Sequence, residues 1–173
     1  MKKDKKYSAA LLTVMAAALM ILIFGFSSQG GTQSSGLSLK VTRFLCRIIF
    51  FDYGNIGDGE RQFLVSQLHG FVRKLAHFTI YMLLGAVFYL LSLVTEKKLK
   101  GIGNWGTALL FSFIYASADE IHQYFTPGRA MRFTDVLIDS CGALTGIIAI
   151  RILILTVNYI RSYFHCKRKA DHR

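Results

Sequence analysis

The chain has 173 residues, 53% of them apolar, and a formal net charge of +11. That length is one domain's worth, and the apolar residues come in runs too long for the core of an ordinary soluble domain. The basic residues flank those runs, which sets nucleic acid aside as a partner and puts a membrane first.

Four stretches are long enough to cross a hydrocarbon core of roughly 30 Å, which takes about 20 helical residues. They cover approximately residues 8–26, 75–94, 102–121 and 133–155. None alternates as a strand would, and the single proline, Pro127, leaves the remainder free to run as long helices. The expected fold is all-α: a four-span transmembrane bundle forming one domain over 1–173. The first stretch follows Lys2, Lys3, Lys5 and Lys6, as a signal peptide would. Its apolar run is longer than a usual h-region and no small-x-small cleavage site follows, so it reads as a retained span.

Between the first two spans lies a long outer loop, Ser27 to Arg73. It opens with a polar, Ser- and Gly-rich segment. From Lys40 to Phe51, Val41, Phe44, Leu45, Ile48 and Ile49 recur at helical spacing, with Lys40, Arg43 and Arg47 opposite. This predicts a short amphipathic helix, lying on the membrane surface or packed over the mouth of the bundle. Asp52 to Glu60 is a Gly- and Asp-rich turn without the alternation of a calcium loop. Cys46, Cys141 and Cys166 have no metal-type spacing or pairing pattern.

With four spans, the N-terminal lysines, Lys97, Lys98 and Lys100, and Arg161, Lys167, Arg168, Lys169 and Arg173 fall on one side. The positive-inside rule makes that side the cytoplasm, with both termini inside. The outer segments also carry Lys40, Arg43, Arg47, Arg61, Arg73, Lys74, Arg129 and Arg132, an excess that needs a local explanation.

Charged side chains at mid-membrane cost roughly 2.5 kcal/mol or more and tend to be buried against partners. Here they gather at one level. Lys74 and His77 begin the second span; Asp119, Glu120, His122 and Gln123 end the third; Arg129 and Arg132 flank the Pro127-Gly128 turn; Asp135 and Asp139 begin the fourth. Lys74, His77 and Tyr81 share a helix face, as do Asp119 and Gln123, and Asp135 and Asp139, whose line continues through Gly142 and Gly146. A Gly-xxx-Gly step admits another helix at close range. Polar stripes converging on an outward-facing cavity are the expected arrangement. Against it stand two plainer readings: basic side chains snorkelling to headgroups, Arg132 above all, and structural ion pairs locking the helix ends. No metal or cofactor is expected, because no His-xxx-His or Cys-rich pattern accompanies His77.

Arg73-Lys74-Leu75-Ala76-His77-Phe78, then Tyr81 and Gly85, resembles the VanZ-like family. So does Asp119-Glu120-x-x-Gln123-x-Phe125-x-Pro127-Gly128-Arg129, followed by Asp135-Val136 and Gly142-x-x-x-Gly146, and so does Phe26-Ser27-Ser28-Gln29. The resemblance covers roughly Phe26 to Gly146 and implies a bacterial cell-envelope protein linked to teicoplanin resistance. Where the family usually has asparagine, this chain has Asp139, an extra carboxylate. An old phosphotransbutyrylase label on some members is set aside, since nothing here resembles a soluble acyl-phosphate enzyme.

Three functions are open to these residues. The first is binding of an anionic, lipid-linked ligand at the outer leaflet, with Lys74 and Arg129 on its phosphate or carboxylate and Gln123, Ser28, Gln29, Tyr81 and Asp139 around it. Its partners would be membrane lipids or lipid-linked cell-wall intermediates. The second is an enzyme in which His77, Asp119, Glu120 and Asp135 carry acid–base or nucleophilic roles. The third is a small proton- or cation-coupled transporter, built as a homo-oligomer around Asp135 and Asp139.

Overall fold

A computed structural model describes residues 2–28, 31–50, 52–97 and 99–171, with the side chains of 2, 31–35, 37 and 166–171 excepted. It consists of α1 (Lys2–Ser27), α2 (Gly31–Ile49), α3 (Asp58–Thr95), α4 (Gly103–Tyr124) and α5 (Phe133–Asp171), with no strand among the described residues.

The direction of each helix follows from its contacts. Lys5 at the start of α1 meets Glu96 at the end of α3, at 2.7 Å. Ser27 at the end of α1 meets Asp119 near the end of α4, and Tyr115 donates to the Met20 carbonyl at 2.6 Å. Lys74 and His77 of α3 meet Asp135 and Asp139 of α5. Thus α1 and α4 run one way, and α3 and α5 the other.

The α3–α5 pairing is the most extensive in the molecule. A glycine seam makes it possible. A Cβ on Gly142 would collide with the carbonyl of Phe78, and one on Gly146 with the carbonyl of Met82. Lipid tails are as apolar as leucine, so helices in a membrane associate through such close backbone packing. Ile23, Tyr81, Leu84, Ala116 and Val136 join α1, α3, α4 and α5 in one buried cluster. The outer faces carry the large apolar residues, among them Ile21, Leu83, Phe111, Ile114 and Ile152.

Three of the helices are long and apolar enough to cross a membrane: Lys3–Ser27, Asp58–Thr95 and Phe133–His165. The expectation of four such spans is corrected to three. The missing one is α4, and its composition explains why. Thr107, Ser112, Asp119, Glu120 and Gln123 are buried along with Ala108 and Ala116, while Phe111 and Ile114 face outward. Its polar content lies inside the bundle and lowers its overall hydropathy.

The expected long outer loop is also corrected. Residues 31–49 form α2, and α3 starts at Asp58, well before the expected 75. Asp58 and Glu60 lie in the first turn of α3, where the helix dipole favours acidic side chains. A turn joins α2 to α3, and Arg61 closes it with bonds to the carbonyls of Tyr53 (3.0 Å) and Gly54 (2.6 Å) and to Asp58 (3.1 Å). Cys46, Tyr53 and Val65 are buried between the two helices. Where a short amphipathic helix was expected from Lys40, α2 starts nine residues earlier. Val41, Phe44, Ile48 and Ile49 lie on its exposed face, while Thr42 and Cys46 turn inward. Arg61 is thereby one of the outer basic residues with a local role.

Candidate functional site

At the end of the bundle where α1 and α4 finish, a cavity of about 370 Å³ opens between α3, α4, the α4–α5 turn and α5. Lys74, His77, Glu120, Gln123, Arg129, Asp135 and Asp139 line it, together with Arg73 and Arg132. Each helix contributes residues spaced three or four apart, which is how a helix places several side chains on one face.

The turn between α4 and α5 is built to present Arg129. Thr126 donates its backbone N–H to the carbonyl of Gln123, and Arg129 its own to that of Thr126. Gly128 between them has φ +75°, a left-handed conformation natural to glycine after Pro127. The Arg129 guanidinium then donates to Gln123 Oε1 at 2.8 Å and to the Phe26 carbonyl at 3.1 Å. Gln123 in turn donates to Asp119 Oδ2 at 2.9 Å and to Ser27 Oγ at 3.2 Å, while Ser27 donates to the same carboxylate oxygen at 2.9 Å. This chain of bonds ties α1, α4 and the turn together beside the cavity. Glu120 accepts the backbone N–H of Arg132 at 2.9 Å, which fixes the approach to α5.

The charged groups are unevenly paired. Lys74 Nζ lies 3.5 Å from Asp135 Oδ1, and both side chains keep partial access to solvent. His77 Nδ1 lies 3.9 Å from Asp139 Oδ2, too far for a hydrogen bond. Asp139 is 1% exposed and both its carboxylate oxygens lack a hydrogen-bond partner, as does Asp119 Oδ1. Among the described residues, Arg73 and Arg132 form no side-chain hydrogen bond or ion pair.

A second, narrower groove of about 160 Å³ adjoins the cavity, sharing Arg73, His77 and Arg129 with it. Its other walls are Ile23, Phe26, Val41, Val72, Ala76 and Ile80 with Ser38, from α1, α2 and α3.

Of the residues singled out in the sequence, seven reach the cavity: Lys74, His77, Glu120, Gln123, Arg129, Asp135 and Asp139. Asp119 is not on its wall but buried behind Gln123. Tyr81 is fully buried one helical turn below His77, and its hydroxyl has no partner. Ser28 points elsewhere: it bonds the Phe24 carbonyl at 2.7 Å and faces His122 Nε2 at 3.1 Å, where His122 also stacks on Phe24. Gln29 lies outside the described residues. Ser27 of the same four-residue motif, rather than Ser28, is the serine that faces inward and bonds Asp119. Arg132, weighed as a snorkelling residue, lines the cavity, and so does Arg73.

Three helices fit to cross a bilayer, a surface of exposed apolar side chains and a charged cavity at one end define an α-helical membrane protein with a polar site. Residues 12–155 match the VanZ/LLP1 family, which is most of the chain, and the protein belongs to that family. No curated protein and no solved structure matches it.

Proposed function

We propose that this protein binds an amphiphile with an anionic, phosphate- or carboxylate-bearing head, at the outer leaflet of a bacterial cell membrane, and thereby contributes to teicoplanin-type resistance. The observation that carries this reading is the continuity of two unlike spaces. The polar cavity holds four basic side chains, Arg73, Lys74, Arg129 and Arg132, and it shares Arg73 and Arg129 with a groove walled mainly by apolar residues. A headgroup fits the first and an acyl or prenyl chain the second. Among the described residues the Arg73 and Arg132 side chains make no hydrogen bond or ion pair, so their donors are available to an anion, for which guanidinium is the preferred bidentate donor.

The orientation rests on charge. Lys5, Lys97 and Lys100 lie at the end opposite the cavity, which the positive-inside rule assigns to the cytoplasm. Although only three helices are apolar enough to cross on their own, α4 packs alongside α1 and returns the chain to the cavity end, so both termini are then cytoplasmic and the cavity faces outward. The exposed apolar face of α2 would rest in the headgroup region beside the groove.

The test uses Arg73→Gln with Arg132→Gln, because among the described residues neither side chain makes a hydrogen bond or ion pair that the substitution would break. Purified wild type should bind phosphatidylglycerol vesicles more tightly than phosphatidylcholine vesicles, and added salt should weaken that preference. The double variant should lose about tenfold or more in affinity for the anionic vesicles with unchanged thermal stability, and cells carrying it should lose their teicoplanin tolerance. Equal binding of both vesicles by wild type, or an unaltered double variant, counts against the proposal.

Turnover is the second reading. His77 and Asp139 face each other within the same cavity, a pairing suited to proton transfer once a substrate closes the 3.9 Å gap. Release of phosphate from a polyprenyl phosphate by the purified protein, abolished in His77→Gln, would move the reading from binding to catalysis.

A further inference from the structure

The basic residues of the cavity explain an anion, but not the acids beneath it. Asp139 is 1% exposed and neither carboxylate oxygen has a hydrogen-bond partner. Asp119 is 4% exposed, and only its Oδ2 is satisfied, by Ser27 and Gln123. Among the described residues, no lysine or arginine nitrogen comes within 4.0 Å of either carboxylate. The nearby cations are directed elsewhere: Lys74 to Asp135, and Arg129 to Gln123 and the Phe26 carbonyl. Two ionised carboxylates buried among helices without a cation are costly unless a proton or a cation neutralises them.

The third member of the group is an imidazole. His77 on α3, Asp119 on α4 and Asp139 on α5 each offer one ligand atom, and these atoms all lie within 4.8 Å of one another. Donors around a tetrahedral first-row metal ion sit about 2.0–2.2 Å from it, hence about 3.3–3.6 Å from each other. Closing the trio onto an ion therefore needs each donor to shift by up to about 0.8 Å, within the range of small rotamer changes.

We propose that His77, Asp119 and Asp139 bind a divalent first-row transition-metal ion at the floor of the cavity. Two carboxylates balance its charge and the imidazole supplies a nitrogen donor. One nitrogen with oxygens, and no thiolate, suits Zn²⁺ or Mn²⁺ over the all-oxygen preference of Mg²⁺ and Ca²⁺. Ser27 and Gln123 bond Oδ2 of Asp119 and leave its Oδ1 without a hydrogen bond, the kind of outer support that orients metal-binding carboxylates. His77 and Asp139 also line the cavity, so the coordination positions the protein leaves unfilled fall on its side. In combination with the amphiphile-binding reading, a ligand oxygen would occupy one of them; the metal site itself stands without that reading.

The experiment measures metal content of the full chain, purified in mild detergent with any affinity tag removed. Wild type should retain about one equivalent of Zn²⁺ or Mn²⁺ after dialysis, lose it to a chelator, and regain both metal and thermal stability on titration with either ion. Mg²⁺ should not substitute at comparable concentration. Asp139→Asn and His77→Gln should each weaken the ion by about tenfold or more, while Arg73→Gln with Arg132→Gln should keep it. Metal retention by a protein that binds no anionic vesicle would leave this site standing and remove the function proposed above. Wild type that retains no metal and shows no melting shift with either ion overturns the site, and needs no variant to do so. Unchanged affinity in folded Asp139→Asn overturns it as well.

Discussion

Gly146→Leu should leave little folded protein, and what folds should be less stable by at least about 3 kcal/mol, the upper end of overpacking costs. At this position an added Cβ meets the Met82 carbonyl and approaches the Ala86 nitrogen of α3. Both are backbone atoms within a continuous helix, so neither can swing aside. The leucine can enter only if α3 and α5 separate, and that pairing places Lys74 and His77 opposite Asp135 and Asp139. Gly25→Leu is the matched control. A Cβ on Gly25 has nothing within 4 Å, and its helix faces outward there. Thermal unfolding in mild detergent should separate the two variants clearly. Equal stability would mean that the seam does not hold the helices.

The second large effect belongs to Gln123. Its amide is the junction of the bonded chain: it accepts from Arg129 and donates to Asp119 and Ser27. Gln123→Leu removes all three bonds at once and leaves the Arg129 guanidinium without its side-chain acceptor. At roughly 1–3 kcal/mol for each buried polar group left unsatisfied, the expected loss is about 3 kcal/mol. Gln123→Glu discriminates between shape and chemistry. It keeps an acceptor for Arg129 but sets a second carboxylate against Asp119, where the amide N–H had donated at 2.9 Å. It should therefore be destabilised at neutral pH and recover as the pH falls enough to protonate the new carboxyl. Gln123→Glu as stable as wild type at neutral pH would show that the amide's donors are dispensable.

Much of this site was legible because helical spacing is rigid. Once Lys74, His77 and Tyr81 lie on one helix, their common face is fixed by 3.6 residues per turn, and the same holds for Asp119 with Gln123 and Asp135 with Asp139. The Gly142–Gly146 step likewise announced a close helix contact. What failed depended on phase or on tertiary partners. Ser27 and Ser28 are adjacent, about 100° apart around α1, and only the packing of α1 on α4 decides which faces Asp119. Arg132 reads from sequence as a headgroup anchor, but its backbone N–H bonds Glu120, which holds the residue at the cavity. The early start of α3 was hidden because residues 58–73 mix Phe, Leu and Val with Asp, Glu, Arg, Gln and two glycines, so the segment lacks the unbroken apolar run of a span. Their packing against α2 through Cys46, Tyr53 and Val65 shows why the segment is helical. The four-span count failed on α4 because several of its polar residues, Asp119, Glu120 and Gln123 among them, are buried in the bundle rather than set toward water as in a soluble helix.

The most direct test of the central claim is native mass spectrometry of the wild-type protein, released from its own membrane, beside the Arg73→Gln, Arg132→Gln double variant. The account predicts that wild type carries a co-purifying anionic amphiphile that the double variant has lost while remaining folded. A wild type carrying only zwitterionic lipid, or a double variant that retains the same anionic species at the same occupancy, would contradict it.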